Sequence, residues 1–290
     1  MPTLVRAATA PALEIAASHD EEARLRVDVA VRPRLIGPVM SLLPRRLLAC
    51  HTRKTRRRRH PFGYVRTVTK RPVLAFTDRG SGPTLIFVHG FLNQASVWDG
   101  VADELAEVFR CIAIDLPGHG KSSATGAGTY ARDDVLNDIR AVLRETDTEQ
   151  AVFVGHSLGG YLSLALAIES PKLVEGLGLI GAGPGFRNPA SREKWNDSVR
   201  KLVAERDLPD GLEEISMHVD AMVMDGLSDI EVPTAVVVGE RDKGFLASAA
   251  VFEKNLNVVA HEVVTGAGHM VHAKAPAAVA AVLRSTFGRN

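Results

Sequence analysis

What most constrains this chain is a recurrence of short, unbroken apolar runs, at residues 84–88, 109–114, 151–154, 174–180, 234–238 and 257–264. Runs of this length, rich in valine and isoleucine, suit strands buried on both faces of a parallel sheet. Residues 98–107, 130–144, 158–169 and 276–287 have helical composition and separate or follow these runs. Alternating strands and helices imply βαβ crossovers and a sheet covered on both sides. Two shorter strands are expected ahead of the first run, at 64–69 and 73–77, with Arg79-Gly80-Ser81-Gly82-Pro83 as the turn that follows them. The fold class is therefore α/β, with a mostly parallel eight-stranded sheet flanked by helices. Ligands of such sheets gather beyond the C-terminal ends of the strands.

The alternation breaks once. Residues 183–231 have helical composition without a strand, and they contain Trp195, Met217, Met222 and Met224. Lying after the sixth strand, this excursion is expected to form a short helical cap at the ligand end of the sheet, with methionines lining a pocket. The alternative is that its apolar residues pack it onto the body.

Composition bounds the rest. With 46% hydrophobic and 24% charged residues and a net charge of +1, the 290-residue chain is neither fibrous nor wholly disordered in character. The small net charge hides an asymmetry: residues 1–60 carry 13 Lys/Arg against 5 Asp/Glu, leaving 22 against 29 in the remainder. Like charges in Arg53, Lys54, Arg56, Arg57, Arg58 and Arg59 repel and supply no apolar surface. Residues 1–60 therefore read as a basic, disordered extension and 61–290 as the folded domain. Contact of the basic run with an anionic surface, lipid or nucleic acid, is a second reading. A transit peptide is disfavoured by Glu14, Asp20, Glu21, Glu22 and Asp28, and a lipoprotein signal at Cys50 by Arg45 and Arg46. Two cysteines, Cys50 and Cys111, exclude a disulfide scaffold and suggest a reducing, cytoplasmic setting, with Cys111 buried as a small hydrophobe. No apolar stretch approaches the roughly 20 residues of a membrane-spanning helix.

Chemistry concentrates in a few blocks. Gly155-His156-Ser157-Leu158-Gly159 falls between an expected strand and an expected helix. A sharp turn there forces Ser157 into a strained conformation, and Gly155 and Gly159 allow strand and helix to approach. A serine hydroxyl is a weak nucleophile near neutral pH and needs a base, itself oriented by an acid. Asp242 follows one strand and His269 follows the last, giving the chain order Ser, acid, His.

Together these blocks resemble the α/β-hydrolase fold family, in its serine esterase and lipase-like members, over residues 64–287. Two further motifs carry the likeness: Val88-His89-Gly90-Phe91 and Asp115-Leu116-Pro117-Gly118-His119-Gly120-Lys121-Ser122. The resemblance implies a nucleophilic Ser157, a general base His269 and an orienting acid Asp242. It also implies an oxyanion hole from the backbone N–H groups of Phe91 and Leu158, with His89, Gly90, Gly155, His156 and Gly159 in support. Glu240 is the competing acid. Asp115 ends a strand too, but its loop recurs in the family as scaffold. His272 and His156 read as structural or pocket-lining.

Metal ligation is not expected, because neither H-E-x-x-H nor C-x-x-C occurs. The fragment Gly181-Ala182-Gly183-Pro184-Gly185 lacks the third glycine of a dinucleotide fingerprint and reads as the turn into the cap. No cofactor is implied. Serine at 157 argues against epoxide hydrolase and haloalkane dehalogenase chemistry, which in this fold uses aspartate. The expected activity is hydrolysis of a small or medium apolar carboxylic ester or thioester. Carbon–carbon bond hydrolysis, acyl transfer and a non-enzymatic binding role are the alternatives.

Overall fold

A computed structural model describes residues 73–288. The expected strand at 64–69, the boundary near Pro61, Cys50 and the basic run Arg53 to Arg59 lie outside the described residues.

Seven strands form one sheet in the order β1-β3-β2-β4-β5-β6-β7. They are β1 (Phe76–Gly80), β2 (Thr84–Val88), β3 (Arg110–Ile114), β4 (Ala151–His156), β5 (Val174–Ile180), β6 (Thr234–Gly239) and β7 (Val258–Val264). β1 pairs antiparallel with β3, and every other pairing is parallel. The helices are α1 (Asp99–Leu105), α2 (Arg132–Glu145), α3 (Leu158–Glu169), α4 (Pro189–Ala204), α5 (Met222–Gly226), α6 (Lys243–Asn255), α7 (Val271–Lys274) and α8 (Pro276–Phe287).

The period-2 geometry of the strands divides the core into two layers. Ile86 and Val88 of β2 join Ile112, Phe153, Leu162 and Phe252 on one face. Leu85 and Phe87, one residue out of phase, join Trp98, Val101, Val154 and Leu283 on the other. α3 is covered nearly all round, with every residue from 158 to 167 buried. A helix without a polar face suits the centre of the molecule.

Two expectations are corrected. The first described strand runs from Phe76 to Gly80 and not over 73–77, so Arg79 and Gly80 belong to the strand and not to the turn. On this outer strand polar side chains find partners at the surface: Asp78 pairs with Arg110, and Arg79 with Asp99 and Asp103. α6 was not anticipated. Its apolar residues are scattered, and only Ala249 and Phe252 are buried. It supplies the crossover that makes β6 and β7 parallel.

The excursion between β5 and β6 is helical, with α4 and α5 on either side of a short 3₁₀ turn at Leu212–Ser216. It is fastened to the body in three ways. The Glu214 carboxylate accepts the Gly128 N–H at 2.8 Å, Arg132 grips Asp220 through both oxygens at 2.8 and 3.0 Å, and Met222 and Met224 pack against the main core. Those two methionines thus follow the packing alternative. Within the excursion Asn196 and the His218 backbone exchange two hydrogen bonds at 3.0 and 2.8 Å.

Close contact between β4 and α3 sets the tolerance of the fold. A Cβ at Gly159 would sit 2.1 Å from the Val88 carbonyl oxygen, and one at Gly155 would sit 2.3 Å from the Gly159 carbonyl carbon. Both obstacles are backbone, which cannot swing aside. Gly159→Ala should destabilise the protein by about 3 kcal/mol or more. Gly244→Ala, in an open position of α6, should be neutral or stabilise by up to about 1 kcal/mol. Chemical denaturation of the two variants checks this contrast, and equal midpoints would contradict it.

Candidate active site

Ser157 stands between the last residue of β4 and the first of α3 with φ +50° and ψ −113°. Positive φ is costly for a residue with a side chain, typically by about 1–3 kcal/mol, and persists only where surroundings enforce it. Here they do. The Ser157 amide donates to the Ile180 carbonyl of β5 at 3.1 Å, and the Ser157 carbonyl accepts the Gly160 and Tyr161 amides. The side chain is left partly exposed above the sheet.

The loops after β6 and β7 bring an acid and an imidazole together. His269 Nδ1 donates to Asp242 Oδ2 at 2.8 Å; the carboxylate is 7% exposed and the imidazole 38%. A carboxylate can only accept, so Nδ1 carries a proton, and in the neutral imidazole the lone pair is then on Nε2. Glu240 is turned to another task, accepting the Gly266 amide at 2.8 Å. Asp115 is likewise occupied, by the amides of Ala95 at 2.6 Å and Lys121 at 2.9 Å.

Two contacts join this pair to the serine. His156, the residue before Ser157, donates from Nε2 to the His269 carbonyl at 3.0 Å, and the two rings lie 4.6 Å apart. Gly181, the residue after Ile180, fits against the pair so closely that a Cβ would stand 3.1 Å from Asp242 Oδ2 and 3.4 Å from His269 Nδ1. Its φ of +50° matches that need for a bare backbone.

The loop after β2 lies on the other side of Ser157. A Cβ at Gly90 would stand 2.7 Å from His156 Nδ1 and 3.3 Å from the Ser157 Cβ. Phe91 follows directly. Leu158 opens α3, where a backbone N–H has no acceptor inside the helix. Two imidazoles brace the loop: His89 Nδ1 donates to the Gly90 carbonyl at 2.7 Å while its Nε2 accepts the Leu116 amide at 3.0 Å. His119 accepts the Leu92 amide at 3.2 Å and donates from Nδ1 to the Pro117 carbonyl at 2.9 Å.

The structure therefore gathers Ser157, Asp242, His269, Gly90 and the amides of Phe91 and Leu158 into one region, with His89, Gly155, His156 and Gly159 behind them. Sequence reasoning missed three contributors. His119 reads in the sequence as part of a scaffold loop, although a histidine between two glycines after a strand is a usable signal. Gly181 reads in the sequence as part of a turn, and its closeness to Asp242 and His269 is visible only in three dimensions. Phe245, in the first turn of α6, stacks on His269 with ring centres 4.7 Å apart and planes 20° apart, and the missed helix hid it. His272 is fully buried between Trp98 and His156, at ring separations of 4.3 and 4.2 Å. Cys111 is buried, and burial pushes its thiol up to about 11. Among the described residues no three His, Cys, Asp or Glu side chains are grouped as metal ligands would be, and no helix is long and apolar enough to cross a membrane.

Comparison with known proteins agrees with this architecture. The sequence model of the alpha/beta hydrolase fold family matches residues 83–207, and the chain has the alpha/beta hydrolase fold. An uncharacterized protein of Mycobacterium tuberculosis is 40% identical over 109 residues, 38% of this chain. The chain thus spans about a third of that relative's length, 32%. A 2-succinyl-6-hydroxy-2,4-cyclohexadiene-1-carboxylate synthase of Salmonella paratyphi B is 28% identical over 236 residues, covering 68% of this chain and 90% of the synthase. Among solved structures, a thermophilic esterase of Thermogutta terrifontis superposes with a TM-score of 0.66 at 23% identity, over 73% of this chain and 92% of the esterase. That likeness is one of fold.

Five of the seven described histidines are held neutral. Burial pushes His89 and His272 down to about 3 and His218 to about 4. It lowers His119, and it carries His156 well below the ordinary value, with the neighbouring His272 and His269 adding to the effect. The unfolded chain binds protons at these positions below about pH 6.5 and the folded one does not, so the stability they give is present above that pH and lost below it. His89 and His272, held near 3, should each cost about 1.4 kcal/mol per pH unit between about pH 6.5 and 3. Against a typical total of about 5–15 kcal/mol, that is a large loss of stability between pH 6.5 and 5. Urea midpoints measured from pH 7.5 down to 5 should fall steeply; a flat profile would show that these imidazoles are not neutral in the folded state.

Proposed function

We propose that this protein is a serine hydrolase that cleaves a small or medium apolar carboxylic ester or thioester through an acyl-enzyme on Ser157. The observation that carries the reading is the strained Ser157 backbone, whose neighbour His156 bonds the backbone of an imidazole that in turn donates from Nδ1 to a buried carboxylate. Such an arrangement stores conformational strain where chemistry needs a projecting hydroxyl.

In the proposed reaction the Ser157 oxygen forms a bond to the acyl carbon as its proton passes to His269 Nε2. The carbonyl electron pair moves onto oxygen, which the Phe91 and Leu158 amides receive. Each such donor is typically worth about 3–4 kcal/mol of barrier. The His269 proton is then given to the leaving alcohol or thiol as its bond to carbon breaks. Water, deprotonated by the same imidazole, releases the acid and restores Ser157. Asp242 stabilises the imidazolium without taking its proton. The excursion between β5 and β6 serves in this reading as a cap over the acyl group.

A second reading is acyl transfer or carbon–carbon bond cleavage on the same three residues. It draws on the Salmonella relative, which is named a synthase and is matched over 90% of its length.

Ser157→Ala should lower turnover of p-nitrophenyl esters by about 10³-fold or more and abolish labelling by a fluorophosphonate probe. Asp242→Asn should cost on the order of 10⁴-fold by favouring the wrong imidazole tautomer, while Glu240→Gln leaves turnover standing. Labelling of Ser157 without ester turnover across a chain-length series would favour the second reading. Unchanged turnover in Ser157→Ala would remove the proposal.

A further inference from the structure

His269 is held on three sides, and two are already accounted for. Asp242 takes Nδ1, and His156 stands beside the ring at 4.6 Å. The third is Phe245, whose ring lies nearly parallel to the imidazole, 4.7 Å away at 20°. Phe245 is three residues past Asp242, and its amide donates to the Asp242 carbonyl at 3.0 Å, so the first turn of α6 sets acid and aromatic ring together.

We infer that Phe245 is a positioning residue for His269, and that its π face stabilises the protonated imidazole formed when Ser157 gives up its proton. The inference deepens the proposed function and rests on it for its catalytic meaning. Stacking fixes the rotation of the imidazole about its Asp242 hydrogen bond, a freedom that a single hydrogen bond leaves open. The negative face of an aromatic ring attracts a cation within about 6 Å. That attraction is absent for the neutral base and present for the imidazolium, so it counts at the moment of proton transfer. Of the other groups around His269, Asp242 in the β6–α6 loop also favours the imidazolium, by charge as well as by its hydrogen bond, and Phe245 adds to that from the ring face. His156 at the end of β4 and His272 of α7 are neutral for lack of solvent and bring no charge of their own. Arg241 and Lys243, flanking Asp242, are exposed.

Phe245 is itself only half-buried, so it can be replaced without opening the core. Leucine keeps the apolar cover but loses the π face, and tyrosine keeps both. In the full-length chain the His269 imidazole should be titrated by ¹⁵N-detected NMR, alongside the acid limb of kcat/KM. Phe245→Leu should move both down by about half a pH unit, since a lost cation–π contact favours the neutral form. It should also lower kcat several-fold with KM little changed, and Phe245→Tyr should restore wild-type values. Thermal melting confirms that each variant is folded, with Phe245→Met standing in for leucine if that variant is not.

A titration that stays put, or moves up, in Phe245→Leu overturns the inference, even if activity falls. The two readings fail separately. If fluorophosphonate does not label Ser157, the hydrolase proposal falls whatever the titration does. If it labels Ser157 and the titration does not move, only the role of Phe245 falls.

Discussion

The molecule depends on one set of backbone contacts, between the start of α3 and the ends of β2 and β4. Gly159 lies so close to the Val88 carbonyl, and Gly155 to Gly159, that the chain there is packed main chain to main chain. Strand and helix can meet at this distance only if the connecting residue turns back sharply, and that residue is Ser157, at φ +50°. The strain is therefore a consequence of core packing, held by the burial of α3 along ten consecutive residues. A large apolar interface keeps one polar side chain in a conformation that it would not adopt alone.

Those contacts also organise what surrounds them. Because β2 and β4 are neighbours in register, the turn after Val88 falls beside Ser157. Because β5 and β6 lie on the other side, the loops after Ile180 and Gly239 fall there too. Asp242 and His269 come from different loops, and Gly181 of a third loop closes the gap between them without a side chain. Parallel strands carry all these loops to one end of the sheet, so residues separated by more than a hundred positions need no long reach to meet.

Much of this could be read from the sequence, because buried parallel strands announce themselves by unbroken apolar runs. β2, β5 and α8 lie where expected, and so does α3 directly after Ser157. Where the signal was weak the reason is physical. β1 is an outer strand whose Asp78 and Arg79 are paired at the surface, so it carries a charged and turn-like sequence. α6 buries only two side chains and shows little periodicity. Phe245 was invisible as a consequence, since its meaning depends on a helix that aims it back toward Asp242. Asp242 and Glu240 could not be told apart by spacing, because both follow the same strand. Only the direction of their side chains separates them, one to His269 and the other to the Gly266 amide.

The histidines show how burial assigns different work to one residue type. His89 and His119 each accept one amide and donate to one carbonyl, which uses both ring nitrogens of a neutral imidazole and leaves no place for a second proton. His156 is tied through Nε2 to a carbonyl, and His272 is enclosed between two rings. Adding a charge to any of these would mean placing it in an apolar interior. His269 differs on two counts: its Nδ1 faces a carboxylate, and more than a third of its side chain is open. A proton arriving at Nε2 would there be balanced by Asp242 and reached by solvent or substrate. Within this cluster the imidazole that can change charge is thus the one whose neighbours cannot, and their fixed neutrality leaves Asp242 as the charged partner that an imidazolium at 269 would meet.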